Sequence, residues 1–416
     1  MLTRMASGER GFLTSKQAIA RLGVKLTTLY AYTSRGLITS VPTAGGRGHL
    51  YASDDVERLR ARHAARSGHA PVAASALRFG EPVLETRVSQ MTPEGPRYRG
   101  LLATDLCRAG VSFERVAELL WSGELPSAAA APELDLRLDA RRVWPLFKGR
   151  AALPKMACLL GALAFTDEDR HHATDAAEQA RARALTRWLA SAVAKDPPRE
   201  RPATPISQTL IVAAGVAPQR ERLRGVEGAL VLCADHDLNA TTFAARVAAS
   251  AGADLYACLG AALHTLSGSA HGGMCDRIEA LLAGIGGKAR VARFVRDALA
   301  RGDVIPGFGH PLYPNGDPRG AWLVEMARTH GARNESARVA FALLDAMARG
   351  GHPAPTLDAG LVTLCACLGL PSGTAAAIFA LGRTAGWVAH ALEQRAAGYL
   401  LRPRAHYVGR AARELG

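Results

Sequence analysis

The chain has 416 residues, 48% hydrophobic and 21% charged, enough for two domains and a sizeable core. No apolar run approaches the roughly 20 residues needed to cross a bilayer, and the opening MLTRMASGERGF lacks the apolar stretch of a secretory signal, so a cytoplasmic protein with no membrane partner is expected. The net charge of +14 is uneven, because residues 1–70 hold eleven Lys and Arg against four acids, half of the whole excess.

Seven cysteines (Cys107, Cys158, Cys233, Cys258, Cys275, Cys365, Cys367) are scattered through apolar, helical-looking segments, with no CxxC and no paired spacing with histidine. Buried thiols in a reducing compartment account for them better than disulfides or zinc, and no metal is expected.

The basic N-terminal stretch opens with LTSKQAIARLG, an amphipathic helix with Thr14 or Ser15 as cap and Gly23 as stop. TTLYAYTSRG makes a second helix ending at Gly36. LITSVPTAGGRGHLY (37–51) reads as a hairpin or wing with Gly45-Gly46 at its tip, and a third helix runs from about Ser53 to Arg66. This order resembles the winged helix-turn-helix of MerR-type regulators. The resemblance implies a DNA partner for residues 1–68, with Thr27, Thr28, Tyr30, Tyr32 and Arg35 facing DNA and Arg47 reaching a phosphate. A domain that kept the fold and now makes dimer or protein contacts is the alternative. SGHAPVAASA follows as a linker, with the boundary at 69–76.

Short strands are expected in ALRFGEPVLETRVSQMTPEGPRYRG. Beyond them, Val111, Phe113, Val116, Leu119 and Leu120 form a helical stripe with Ser112 as cap and Gly123 as stop. Residues 127–225 are helical and less informative. From Gly225 onward apolar helical segments recur between breakers, the pattern of a large, mainly α core.

Chemistry concentrates between Leu230 and Arg319. Three histidines, His236 in CADHDLN, His271 in SAHGGMCD and His310 in GFGHPLYPNGDPR, each stand beside a Gly-rich or Asp/Asn-rich break. Downstream lie Asp358 in PAPTLDAGL, Arg383 in FALGRTAGW and Arg402 in YLLRPRAHY. Asp358 is flanked by Leu357 and Ala359, a setting in which desolvation makes a carboxylate more basic. It is also placed to cap a helix starting at Ala359. Cys275, four residues after His271, leaves a Cys–His pair open as another use of that motif.

These motifs, in this order and near this spacing, resemble the citrate synthase family over residues 77–416. The fold implied is mainly α, a large and a small helical domain, with the small subdomain at about 225–330 and the winged helix-turn-helix in front. The reaction implied condenses acetyl-CoA, or a close acyl-CoA such as propionyl-CoA, with oxaloacetate, releasing CoA and needing no permanently bound cofactor. By resemblance Asp358 removes the α-proton, His271 hydrogen-bonds the enol oxygen and His310 acts as acid toward the ketone. Arg319, Arg383 and Arg402 bind carboxylates, and His236 adds a hydrogen bond. The RP arginine, Arg402, is shared across a homodimer. Pro311 and Pro314 stand where bacterial members usually carry basic residues that meet the CoA phosphates. Two other readings remain open: a DNA-binding regulator that senses a dicarboxylate or acyl-CoA through a synthase-like domain, and a synthase-fold enzyme for another acyl-CoA or oxo acid.

Overall fold

The computed structural model describes residues 11–34, 37–43, 48–57, 59, 84–131, 134, 136–198, 204–268 and 272–404. The chain divides into two compact units, Met1–Glu85 with Pro403–Gly416, and Thr86–Arg402. The expected linker at 69–76 lies outside the described residues.

In the first unit strand β1 (Phe12–Thr14) leads into helix α1 (Ser15–Leu22). Thr14 is the cap: its Oγ1 accepts the Gln17 N–H at 3.4 Å while Gln17 Oε1 accepts the Thr14 N–H at 2.9 Å, so two end donors are satisfied reciprocally. Gly23, at φ 64°, ends the helix in the left-handed region that costs glycine nothing. Helix α2 (Leu26–Ser34) follows. Then β2 (Ser40–Pro42) and β3 (His49–Ala52) pair antiparallel as the wing, and β1 joins the other edge of β3. The third helix begins at 53. Leu13, Ala18, Leu22, Leu29, Ile38, Tyr51, Val56 and Leu59 form the core. β1 was not expected, because FLT is too short to show strand alternation.

The second unit begins with a meander of β4 (Ser89–Thr92), β5 (Gly95–Tyr98) and β6 (Leu101–Leu102). Helices α3 (Ala103–Arg108) and α4 (Phe113–Ser122) follow, and α4 has the Ser112 cap and Gly123 stop read from the sequence. Then come α5 (Ala140–Val143), α6 (Ala152–Thr166), α7 (Asp175–Ala190), α8 (Ile206–Ala213) and α9 (Arg220–Cys233). After them run α10 (Ala240–Ser250), α11 (Leu255–Leu266), α12 (Met274–Ile285) and α13 (Val291–Ala300). The series closes with α14 (Pro318–His330), α15 (Glu335–Arg349), α16 (Leu357–Leu368) and α17 (Thr374–Ala397).

Two packings position the site. Helix α17 is long and apolar enough to cross a membrane by composition, but 89% of its most apolar stretch is buried in the protein, so it is a core helix. Around it lie α4, α9, α10 and α11. Helices α14 and α16 form the second packing, and glycines set their separation: a Cβ on Gly320 would stand 2.6 Å from the Thr356 carbonyl oxygen, and one on Gly360 2.8 Å from Leu323 Cβ. Only hydrogen fits there. The helices expected as a small subdomain at 225–330 divide between these partners, α9 to α11 packing on α17 and α12 on α15 and α16.

Candidate active site

The loop before α14 carries His310, Tyr313, Asp317 and Arg319, and backbone pairing ties it to the start of α16. Gly309 N–H donates to the Ala354 carbonyl at 2.9 Å and Thr356 N–H to the Gly307 carbonyl at 2.8 Å. His310 and Asp358 are therefore stitched to each other through main chain.

Asp317 is the hub. Its Oδ1 accepts the backbone N–H and the Nε–H of Arg319, both at 3.0 Å, and its Oδ2 accepts Arg319 Nη2–H at 2.8 Å and the Leu357 N–H at 3.1 Å. One carboxylate thus caps α14, caps α16 and holds a buried guanidinium in a fork. Burial works against both charges. The fork outweighs it, holding Asp317 below the usual carboxylate range and Arg319 above the usual guanidinium range. The Asp-Pro-Arg sequence, a cap followed by Pro at the first helical position, carried this signal.

His310 has a defined tautomer. Its Nδ1 accepts the Leu312 N–H at 3.1 Å, so Nε2 carries the proton. Burial first, and then the Arg319 cation, lower its pKa, which leaves a neutral imidazole with one N–H to donate. His236 stands edge-on to it, ring centroids 5.6 Å apart, with His236 Nε2 3.3 Å from Tyr313 Oη. Tyr313, buried between the two exposed prolines Pro311 and Pro314, stacks on His310 at 5.0 Å and lies 5.5 Å under the Arg319 guanidinium. The sequence reading missed Tyr313; its signal is an aromatic three residues after the histidine inside a Pro/Gly-rich loop.

Asp358 is not the cap of α16. The helix starts one residue before it, at Leu357, with Thr356 at the cap position and Asp317 supplying the hydrogen bond. Asp358 therefore sits in the first turn with its carboxyl free of capping duty. Burial raises its pKa, and Cys275 Sγ donates to Oδ1 at 3.4 Å. Arg319 lies in the field of His310, Asp358 and Arg383 together, which places the four in one neighbourhood.

Arg383 is 1% exposed, and among the described residues no carboxylate pairs with it. Its Nε–H donates to the Cys233 carbonyl at 2.8 Å and its guanidinium lies 4.9 Å from the Phe379 ring centroid. Below it α17 zips down the segment that carries His236. Gly386 N–H donates to the Ala234 carbonyl at 2.9 Å, Trp387 Nε1–H to Thr241 Oγ1 at 3.0 Å, and His390 Nε2 lies 3.4 Å from Asp235 Oδ2. Asp235 is fully buried and also accepts the Ser89 hydroxyl and, at 3.2 Å, the Asp237 N–H. Burial disfavours its charge, but His390, Arg383 and Ser89 hold its pKa below the ordinary value. Asp237 adopts φ 56°, and Asn239 caps α10 through the Thr241 and Thr242 N–H groups, so the turn bearing His236 is fixed at both ends. This layer was illegible in sequence, because its members are up to 155 residues apart.

His271 lies outside the described residues. Arg402 is exposed at the end of the second unit, with no hydrogen bond or ion pair among the described residues to the other site residues. In the first unit Thr27 and Tyr30 are exposed and Thr28 is half-buried. Tyr32 is half-buried and packs partly on the small core, three residues on from Leu29 on the same side of the helix. Arg35 and Arg47 lie outside the described residues. Among the described residues no cluster of His, Cys, Asp or Glu is arranged to hold a metal.

Residues 78–404 match the family described as citrate synthase, C-terminal domain. The chain belongs to the citrate synthase family. A citrate synthase of Mycolicibacterium smegmatis is 31% identical, over 81% of this chain and 95% of that protein. A 2-methylcitrate synthase of Mycobacterium tuberculosis is 32% identical, over 81% and 91%. The crystal structure of citrate synthase from Thermotoga maritima aligns with a TM-score of 0.68 at 27% identity, covering 80% of this chain and 96% of that one. The protein is a citrate synthase-type acyltransferase. Residues 13–72 match a second family, described as MerR HTH family regulatory protein.

Proposed function

We propose that this citrate synthase-type site condenses a short acyl-CoA, acetyl-CoA or propionyl-CoA, with oxaloacetate. The observation that carries the reading is Arg383, a buried guanidinium with no carboxylate in ion-pair contact among the described residues, near the neutral donor His310 and the raised carboxyl of Asp358. Asp235 lies in the field of Arg383 without contacting it; burying a guanidinium with no carboxylate in direct contact is costly, and a substrate carboxylate supplies that contact. Arg319 adds positive potential, although its own fork is occupied by Asp317.

In this reading Asp358 accepts the α-proton of the acyl-CoA, and burial, by raising its pKa, makes it a stronger base. His271 donates to the enol oxygen. His310 Nε2–H points its proton at the ketone oxygen of oxaloacetate and stabilises the alkoxide as the carbon–carbon bond forms. His236, held by Tyr313, contributes a further hydrogen bond. Arg402, exposed at the end of the second unit, reaches the site of a second copy in a homodimer. Relatives that make citrate and relatives that make 2-methylcitrate match almost equally well.

Free-thiol release by the full-length protein, with oxaloacetate and either acetyl-CoA or propionyl-CoA, tests the assignment. Oxaloacetate-dependent release that disappears in Asp358→Asn supports it. Near-normal turnover in that variant removes Asp358 from the mechanism.

The first unit carries a separate proposal, DNA binding through Thr27, Thr28 and Tyr30. The exposure of Thr27 and Tyr30 on α2 and the regulatory-family match favour it. Binding to duplex DNA that weakens steeply between low and moderate salt is the expected result; salt-insensitive or absent binding assigns the unit to protein contacts.

A further inference from the structure

Cys275 is a buried thiol, 2% exposed, in the first turn of α12, and the condensation chemistry makes no use of it. Its Sγ lies 3.4 Å from Asp358 Oδ1. Two opposing influences act on it. A helix N-terminus favours thiolate. Burial, and then the Asp358 carboxylate, disfavour it and push the thiol well above its ordinary pKa. The second influence wins, so the sulfur keeps its proton and points it at the carboxylate. A protonated thiol is a poor nucleophile, and its hydrogen-bond partner is a carboxyl group.

We propose that Cys275 is a positioning residue for the base: its S–H, donated to Oδ1, fixes the orientation of the Asp358 carboxylate and leaves Oδ2 for the substrate proton. The inference rests on the reading of Asp358 as the base. No other side chain among the described residues donates to this carboxyl, whose one further hydrogen bond is from main chain. The charged and titratable groups facing Asp358 are few. Arg319 and Asp317 act from the start of α14 with opposite signs, and Cys233 acts from the end of α9. His310, on the loop paired with residues 354–356, faces Arg319 and Asp317. Cys275 is thus the one side-chain hydrogen-bond donor to this carboxyl among the described residues. A thiol is the weakest common donor. It orients the carboxylate while withdrawing little of the basicity that burial confers, whereas a hydroxyl in its place would stabilise the ionised form more.

The test compares full-length wild type, Cys275→Ala, Cys275→Ser and Asp358→Asn, reading the pH dependence of kcat by thiol release with both substrates saturating. In Cys275→Ala the acid limb moves up by about half a pH unit, the scale of one weak hydrogen bond to a carboxylate. Its plateau kcat falls by about three- to tenfold, while KM for oxaloacetate stays within about twofold. Cys275→Ser, nearly isosteric and a better donor, brings the limb to or below that of wild type and recovers most of the plateau. The serine variant also decides the matter if the alanine variant fails to fold. Limbs that coincide in wild type and both cysteine variants overturn the proposal, as does a serine variant that behaves like alanine at unchanged thermal stability. Retained turnover in Asp358→Asn would instead overturn the reading of the base, so the two failures are distinguishable.

Discussion

Asp317 and Arg319 form a two-pronged ion pair, Oδ1 to Nε at 3.0 Å and Oδ2 to Nη2 at 2.8 Å, in which the same carboxylate also caps α16 through Leu357. The loop bearing His310 and the helix bearing Asp358 therefore share one anion. Asp317→Asn keeps the shape but removes the charge that Arg319 needs. Breaking a buried pair on one side costs about 3–5 kcal/mol. The variant is expected to unfold at lower denaturant by that amount, and its oxaloacetate KM to rise as Arg319 loses its fixed position. A wild-type denaturation midpoint would mean that the hub does not hold these elements together.

Arg319 and Arg383 look alike in sequence, and the structure separates them. The first has a carboxylate in direct contact and the second, among the described residues, has only the more distant Asp235 in its field. Arg319→Met strands the Asp317 carboxylate and should destabilise the fold. Arg383→Met breaks no direct ion pair and leaves Asp235 its His390 and Ser89 partners, so it should destabilise the apo protein less than Arg319→Met does, while abolishing the thermal shift that oxaloacetate produces. Equal destabilisation by both substitutions would sink the distinction. The measurement is a pair of melting curves with and without the oxo acid.

Away from the site, Glu227 on α9 accepts the Phe113 N–H and, at 2.5 Å, the Ser207 hydroxyl. Burial, with Glu114 adding repulsion, pushes its pKa up to about 7 from an ordinary 4.5. The folded protein thus holds this proton more tightly than the unfolded chain does. Its stabilising contribution is complete below pH 4.5 and is lost as pH rises to about 7, on the order of 3 kcal/mol. Glu227→Gln should flatten the stability profile across that window and be more stable than wild type at pH 8. Parallel profiles for the two proteins would contradict the assignment.

A Cβ on Gly386 would stand 2.2 Å from Asp235 Oδ1 and 2.6 Å from the Ala234 carbonyl oxygen. Gly386→Ala must push α17 away from the turn that carries His236. Strain of this kind typically costs about 1–3 kcal/mol. Because Arg383 rides on the same helix, kcat/KM for oxaloacetate should fall more than stability alone explains. Assays at a temperature where the variant remains fully folded separate the two effects.

Much of the site's outline was legible because it is local. GFGHPLYPNGDPR and PAPTLDAGL carry breakers, a cap and the candidate acid–base side chains within a few residues, and α1 and α4 end where Thr14, Gly23, Ser112 and Gly123 imply. What escaped was the supporting layer. Asp235, His390 and Ser89 meet only after α17 folds back on α9 and α10, and Tyr313 joins His236 only once two loops 77 residues apart come together. The role of Asp358 was misjudged in one respect, since local sequence could not reveal that Asp317, 40 residues upstream, supplies the cap. The half-burial of Tyr32 was not legible locally, because aromatic bulk in a small domain is drawn toward its core.

Pro311 and Pro314 have a consequence for the loop that carries His310. Each locks one backbone torsion, and they bracket the stretch in which the Leu312 N–H grips His310 Nδ1 and Tyr313 stacks on the imidazole. The ordering of this loop is completed during folding, so little conformational freedom is left to lose when the oxo acid arrives. The calorimetric signature of oxaloacetate binding should carry a small entropic penalty, and glycine at both positions should enlarge it without touching a single substrate contact.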